Sequence, residues 1–200
     1  MVNAGVQAEA VAELQVALEI SAERRPEPII VEPEDPPPGV SAEVAYIAQD
    51  DPEAGNSFAF LRIPKIGVDA VVFEGVDIPT LKKGPGHMPG TPLPGHPGNS
   101  VLSGHRTTYG RPFFDFDQLE VGDTIEVESE VGIHIYVIRE VSIVLPTDFW
   151  VTNDRDGAWL TLTTCTPKFS AKQRLIVWAE MVSGPNFEFS QLHEVPDSGL

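Results

Sequence analysis

Thr161-Leu162-Thr163-Thr164-Cys165-Thr166-Pro167 is a β-type run that ends in the only cysteine of a 200-residue chain. Side chains alternate across a strand, so Trp159, Thr161, Thr163 and Cys165 share one face and Leu160, Leu162 and Thr164 take the other. Pro167 has no amide hydrogen and ends ladder pairing just past the cysteine. Nine residues after Cys165, Arg174 opens a second apolar run, Leu175-Ile176-Val177-Trp178-Ala179-Glu180. Pairing of the two runs around the loop 166–173 sets Cys165 opposite Arg174 at its mouth. A guanidinium in that place favours a thiolate and donates to a developing oxyanion. The plainer readings are that a lone cysteine is buried filler and that an arginine after a loop is a solvated charge.

The preceding sequence supplies more strands. Two long ones are expected at about 123–129 and 132–144, with a turn at Glu130–Gly132, followed by a loop from Pro146 to Ala158. Further upstream, FAFLRIPKIGVDAVVFEGV alternates apolar residues and reads as strands 58–63 and 66–73 joined at Pro64-Lys65. Asp77-Ile78-Pro79-Thr80-Leu81 has the cap and early proline of a one-turn helix. The glycine- and proline-dense stretch LKKGPGHMPGTPLPGHPGN is expected to be a structured loop without regular elements. A short strand from Ser100 to Gly104 then runs into His105, and residues 112–119 suggest a short helix. The sum is seven or eight strands with short connecting helices and no βαβ alternation. An all-β, closed β-barrel is the architecture this predicts.

Composition bounds the function. The formal net charge is −17, from 30 acidic against 13 basic residues, which argues against nucleic acid and anionic lipid as partners. Twelve Asp/Glu against two Arg fall in the first 56 residues, so most of the excess lies outside the expected barrel. Residues 1–24 read as an amphipathic helix or a disordered segment, with Val11, Leu14 and Leu18 at helical spacing. Residues 25–56 read as an acidic, Pro-rich linker, 57–183 as the barrel and 184–200 as a C-terminal tail. No run of about 18 apolar residues is present to span a bilayer, and the first residues lack the pattern of a signal peptide. One cysteine excludes an intrachain disulfide and a cysteine-cluster metal site.

Five histidines are candidates to partner the cysteine. His105 stands at a strand end in Ser-Gly-His-Arg-Thr-Thr-Tyr-Gly, a place suited to a proton carrier. His134 falls within an alternating strand and reads as structural, while His193 lies in a polar tail. His87 and His96 sit in the Gly/Pro loop, and their spacing with His105 matches no metal-ligand pattern. Asp115, Asp117 and Glu120 read as a solvated face rather than a calcium site. A thiolate, a proton carrier and a cation account for acyl transfer with no metal or cofactor.

The strings GNSVLSGHR, TLTTCTP and QRLIVWAE together resemble the three-part signature of the sortases, cysteine transpeptidases of Gram-positive bacterial surfaces. The resemblance spans about residues 57–183, and GPGHMPGT with GHRTTYGRPF is most similar to the class E branch. It implies Cys165 as nucleophile, His105 as general acid/base and Arg174 as oxyanion stabiliser, with no cofactor. It further implies that Thr164 helps orient substrate. Tyr109 would favour an alanine where other sortases accept proline, giving a signal resembling L-A-x-T-G rather than L-P-x-T-G. The reaction so implied is cleavage between Thr and Gly through a thioester, then transfer to an amine. The partners implied are surface proteins with a C-terminal sorting signal and an acceptor such as a cell-wall precursor or pilin lysine. An extracytoplasmic, membrane-associated location also follows from the resemblance, although the membrane helix usual in sortases is not seen in this sequence. The alternatives are a catalytically idle β-barrel peptide-binding module and a hydrolytic cysteine peptidase using the same residues.

Overall fold

A computed structural model describes residues 3–23, 27–34, 38–39 and 43–196. The rest of the acidic segment and the last four residues of the tail lie outside the described residues. In chain order the strands are β1 (Ile29–Val31), β2 (Val44–Tyr46), β3 (Ser57–Ile63), β4 (Val68–Glu74) and β5 (Gly86–His87), then β6 (Gly98–Ser103), β7 (Thr124–Ser129), β8 (Gly132–Val144), β9 (Ala158–Thr166) and β10 (Gln173–Ser183). Among the described residues, strands β1 and β2 pair only with each other. The other eight close a barrel in the order β10-β8-β7-β3-β4-β5-β6-β9, as expected for an all-β closed barrel. All neighbours are antiparallel except β4 with β5 and β6 with β9.

Alternation in each strand sends one set of side chains inward. Leu61, Val72, Leu102, Ile125, Val127, Tyr136, Leu160, Leu162 and Val177 pack into one buried cluster that fills the barrel. The hydroxyl of Tyr136 would be stranded there, but it accepts the Gly95 amide hydrogen at 2.7 Å. Burying each such side chain stabilises the fold by roughly 1.5–3 kcal/mol.

Local sequence explains most boundaries. The helix α2 (Ile78–Leu81) begins where Asp77 accepts the Thr80 amide at 3.1 Å, the expected cap. The strand expected from residue 66 starts at Val68, because Pro64–Ile66 form a 3-10 turn first. The helix expected at 112–119 contracts to a 3-10 turn at Phe116–Gln118. One expectation fails outright. The Gly/Pro stretch contains β5, whose Gly86 and His87 pair with β4 on one side and β6 on the other and so complete the barrel. The reason is close approach: a Cβ on Gly86 would collide with the Gly75 carbonyl oxygen, so only glycine lets the chain in.

Two additions lie on the outside. The helix α1 (Asn3–Glu23) buries Ala10 and Leu14 against Phe60, Val71 and Phe73, the outward residues of β3 and β4. Gln7 ties it down, accepting the Val71 amide at 3.0 Å and donating to the Lys83 carbonyl at 2.7 Å. Beyond β2, the Ile47 backbone exchanges two hydrogen bonds with the Asn186 side chain, at 2.8 and 2.9 Å. Tyr46 stacks on Phe189 of α3 (Phe187–Ser190) at 4.4 Å.

Candidate active site

Three neighbouring strands bring the site residues together. The β9–β10 ladder places Arg174 directly across from Cys165, as the two-run reading anticipates. On the other side, β6 runs parallel to β9 and its last ladder pair is Ser103 with Thr163. The Gly104 amide then donates to the Thr163 carbonyl at 3.1 Å, and the Thr164 hydroxyl donates to the Gly104 carbonyl at 2.7 Å. This carries His105 alongside Cys165. Thr164 itself is buried between the strands, with its hydroxyl spent on β6.

The group faces outward. Leu160 and Leu162 enter the barrel core, whereas Trp159 packs in a separate outer cluster with Val144, Val151, Ile176 and Trp178. Cys165, on the Trp159 side of the strand, is half-buried on the barrel's outer surface. His105 is half-buried as well, and its Nε2 is enclosed with no hydrogen-bond partner among the described residues. Burial holds its imidazole below the ordinary histidine pKa, so the neutral ring is the resting form near pH 7. The Tyr109 ring lies 5.1 Å from it, with the Lys82 ammonium 5.3 Å from the Tyr109 ring centre. Tyr109 and Arg111 both hold positive φ, at 49° and 53°, an uncommon backbone state for residues other than glycine. Arg174 Nη1 donates to the carbonyls of Ala171 and Gln173 at 3.0 and 3.1 Å, which fixes the guanidinium over the loop beyond Cys165.

The β8–β9 loop walls this surface. Asn99 Nδ2 donates to the carbonyls of Val151 and Asn153 at 3.2 and 2.8 Å, and Trp178 Nε1 adds a bond to Val151. Trp150 stacks on Trp178 at 5.8 Å, and Leu145, Phe149 and Trp150 stay exposed along the rim. Sequence reading alone does not single out Asn99, because its role depends on a loop fifty residues away. Arg106 is also missed, although it directly follows His105. Its buried side chain bonds to Thr166 at 2.8 Å and to Asp117 at 2.8 Å.

Other candidates are placed elsewhere. His87 Nδ1 bonds Glu74 at 2.7 Å and its Nε2 meets the Pro92 carbonyl at 3.0 Å, bracing the Gly/Pro loop. His96 bonds the Tyr46 hydroxyl at 2.9 Å, and His193 bonds Asp154 at 3.0 Å. Asp115 and Asp117 are not merely a solvated face, since Lys168 bridges them at 3.3 and 3.2 Å. Among the described residues, no group of three or more His, Cys, Asp or Glu is placed to hold a metal ion.

A closed mixed barrel of this strand order, with thiol, imidazole and guanidinium on neighbouring strand ends, is the sortase fold. The chain belongs to the sortase family: the sortase domain matches residues 61–182. It is 37% identical over 146 residues to Sortase SrtE1 of Streptomyces coelicolor, a match covering 65% of this chain and 42% of that protein. The chain thus spans less than half the length of this relative. A solved Clostridium perfringens Sortase D5 transpeptidase superposes with a TM-score of 0.69 at 27% identity, covering 90% of this chain and 99% of that one. A crystal structure of Sortase E1 from Streptomyces coelicolor with a tripeptide in the active site gives a TM-score of 0.61 at 33% identity, covering 68% and 94%.

Proposed function

We propose that this chain is a class E-like sortase. It cleaves a sorting signal resembling L-A-x-T-G or L-P-x-T-G between Thr and Gly and transfers the new acyl end to an amine. The observation that carries this reading is the meeting of His105, Cys165 and Arg174 at the ends of β6, β9 and β10. Cys165 Sγ attacks the threonine carbonyl carbon, and the Arg174 guanidinium stabilises the oxyanion that forms. His105 takes up the thiol proton and gives it to the departing glycine amine, leaving a thioester on Cys165. An amine from a cell-wall precursor or a pilin then attacks, with His105 as its base, and the thiol is restored. Neither step calls on a metal or cofactor.

The outer-face position supports an extended peptide substrate. A chain laid along the surface of β6 and β9 meets Ser103 and Thr163 below it, the β8–β9 loop on one flank and Tyr109 on the other. Tyr109 beside His105 would then meet the residue that is alanine or proline in the signal, and Thr164 would set the level of the floor through its bond to Gly104. Surface proteins bearing the signal are the donors, and the site of action is the extracytoplasmic face of the cell.

Paired Leu-Ala and Leu-Pro sorting peptides, offered to the wild type and to Cys165→Ala, test the reading. The wild type should release the glycine fragment and, with a supplied amine, form the transfer product, while Cys165→Ala does neither. Cleavage by Cys165→Ala at the wild-type rate would refute the mechanism. An unreactive Cys165 thiol, or a thiol label that the peptides do not block, would favour the idle binding module instead. Free acid formed despite abundant amine would indicate a hydrolytic peptidase.

A further inference from the structure

His105 stands past the end of β6, whereas Cys165 lies within β9 and pairs with Arg174 of β10. The β6–β9 ladder stops at Ser103 and Thr163, yet His105 and Cys165 lie two residues beyond those positions. Past the β6–β9 ladder the Gly104 amide still bonds the Thr163 carbonyl and the Phe113 amide bonds the His105 carbonyl, and hydrogen bonds from neighbouring side chains add to this hold. Arg106 is placed to supply them. Its side chain is 3% exposed. Nη1 donates to the Thr166 hydroxyl at 2.8 Å and, at 3.4 Å, to the carbonyl of Cys165 itself. Nε donates to the Phe114 carbonyl at 3.4 Å, and Nη2 pairs with Asp117 at 2.8 Å. Lys168, on the loop after Cys165, reaches the same Asp117 at 3.2 Å and Asp115 at 3.3 Å.

Three segments meet at this one guanidinium: the residue after His105, the two residues at the end of the cysteine strand, and the loop 107–117. We propose that Arg106 is a positioning residue, whose planar fork fixes the distance and angle between His105 and Cys165. The inference rests on the proposed sortase chemistry of that pair. Its main action is geometric. The Asp117 carboxylate offsets the charge of Arg106, whereas the four acceptors lie in directions only a guanidinium can meet at once. Lysine at this position keeps the charge, but its single nitrogen cannot span the same acceptors. The side chain is also buried, away from the outward surface proposed for the peptide. Its loss should therefore slow the chemical steps without weakening peptide binding.

The test compares Arg106→Lys, Thr166→Val and the double variant with the wild type, each first checked by thermal melt. Thr166→Val removes one acceptor and nearly preserves shape, so it remains informative if Arg106→Lys folds poorly. On the sorting peptides, Arg106→Lys should lower kcat at least tenfold with KM within threefold of wild type. Thr166→Val should lower kcat about fivefold alone and add little in the Arg106→Lys background, which marks the two as one unit. A folded Arg106→Lys with wild-type kcat would overturn the proposal, as would a loss that appears in KM alone. Alkylation of Cys165 by iodoacetamide at pH 7 supplies a readout independent of peptide turnover. It should be at least threefold slower in Arg106→Lys, and an unchanged rate would count against the positioning role even if the wild type cleaves no sorting peptide. Failure of the wild type on every peptide, with the alkylation difference intact, would instead sink the sortase reading and leave the clamp standing.

Discussion

His105 and His134 sit in two regions of the barrel that burial treats alike and that chemistry separates. Both imidazoles are held below the ordinary histidine pKa by desolvation. His134 is fully buried on β8, its pKa lowered to about 4, with His96 adding repulsion between the two rings. Its ring is wedged so tightly that a Cβ on either Gly95 or Gly184 would collide with it. His105 is only half-buried, just past a strand end, with Cys165 alongside. A depressed pKa therefore does not tell the two histidines apart. What separates the two is position, since His105 stands just past a strand end with Cys165 alongside.

The sharpest way to break that contrast is to exchange the roles. His105→Gln should lower peptide cleavage by about 10³-fold, the usual scale for losing a general acid/base, with little change in melting temperature. His134→Leu should leave cleavage near wild type, and a loss there comparable to that of His105→Gln would erase the distinction.

Acid stability separates the regions in the opposite sense. His134 is neutral in the fold down to about pH 4 but titrates near its ordinary value when unfolded. Between those values the unfolded chain binds more protons, so stability is full above about pH 6.5 and falls as the pH drops towards 4. The loss assignable to His134 is of the order of 3 kcal/mol. Urea melts at pH 7.0 and 4.5 measure it, and His134→Leu should remove that share of the pH dependence. An acid limb identical in wild type and variant would contradict the assignment.

The α1 face offers a third, smaller contrast, because it touches neither histidine. A Cβ at Gly84 would overlap the Gln7 amide and lie 2.8 Å from the Val71 carbonyl oxygen. Gly84→Ala should cost about 1–3 kcal/mol, in line with overpacking elsewhere. Hydrogen exchange should show the loss as faster exchange in α1, with peptide cleavage unaffected. The smallest effect is expected beside His105. Tyr109→Ala should change the ratio of Leu-Ala to Leu-Pro cleavage by less than about tenfold, the scale of one apolar contact. An unchanged ratio would remove Tyr109 from substrate selection.

Much of this was legible in residue order, for a physical reason that differs element by element. The alternation around Leu160 and Leu162 fixes which way Cys165 faces, since one face must fill the barrel. Asp77 marks the start of α2 because capping is a contact three residues long. The pairing of Arg174 with Cys165 follows from a short connection between two strands. By contrast, β5 was hidden in a run of Gly and Pro, where pairing depends on how closely two other strands admit the backbone. Asn99 bonds residues 52 and 54 positions away, and nothing in its neighbourhood announces this.

The barrel and the strand that carries Cys165 were thus specified locally, by alternation, capping and short connections, which the order of residues records directly. The register of His105 against Cys165, the hold of Arg106 on the end of β9, and the seat of α1 on β3 and β4 were settled by folding. Each joins segments about sixty residues apart, through parallel pairing or side-chain hydrogen bonds that exist only once the sheet has closed.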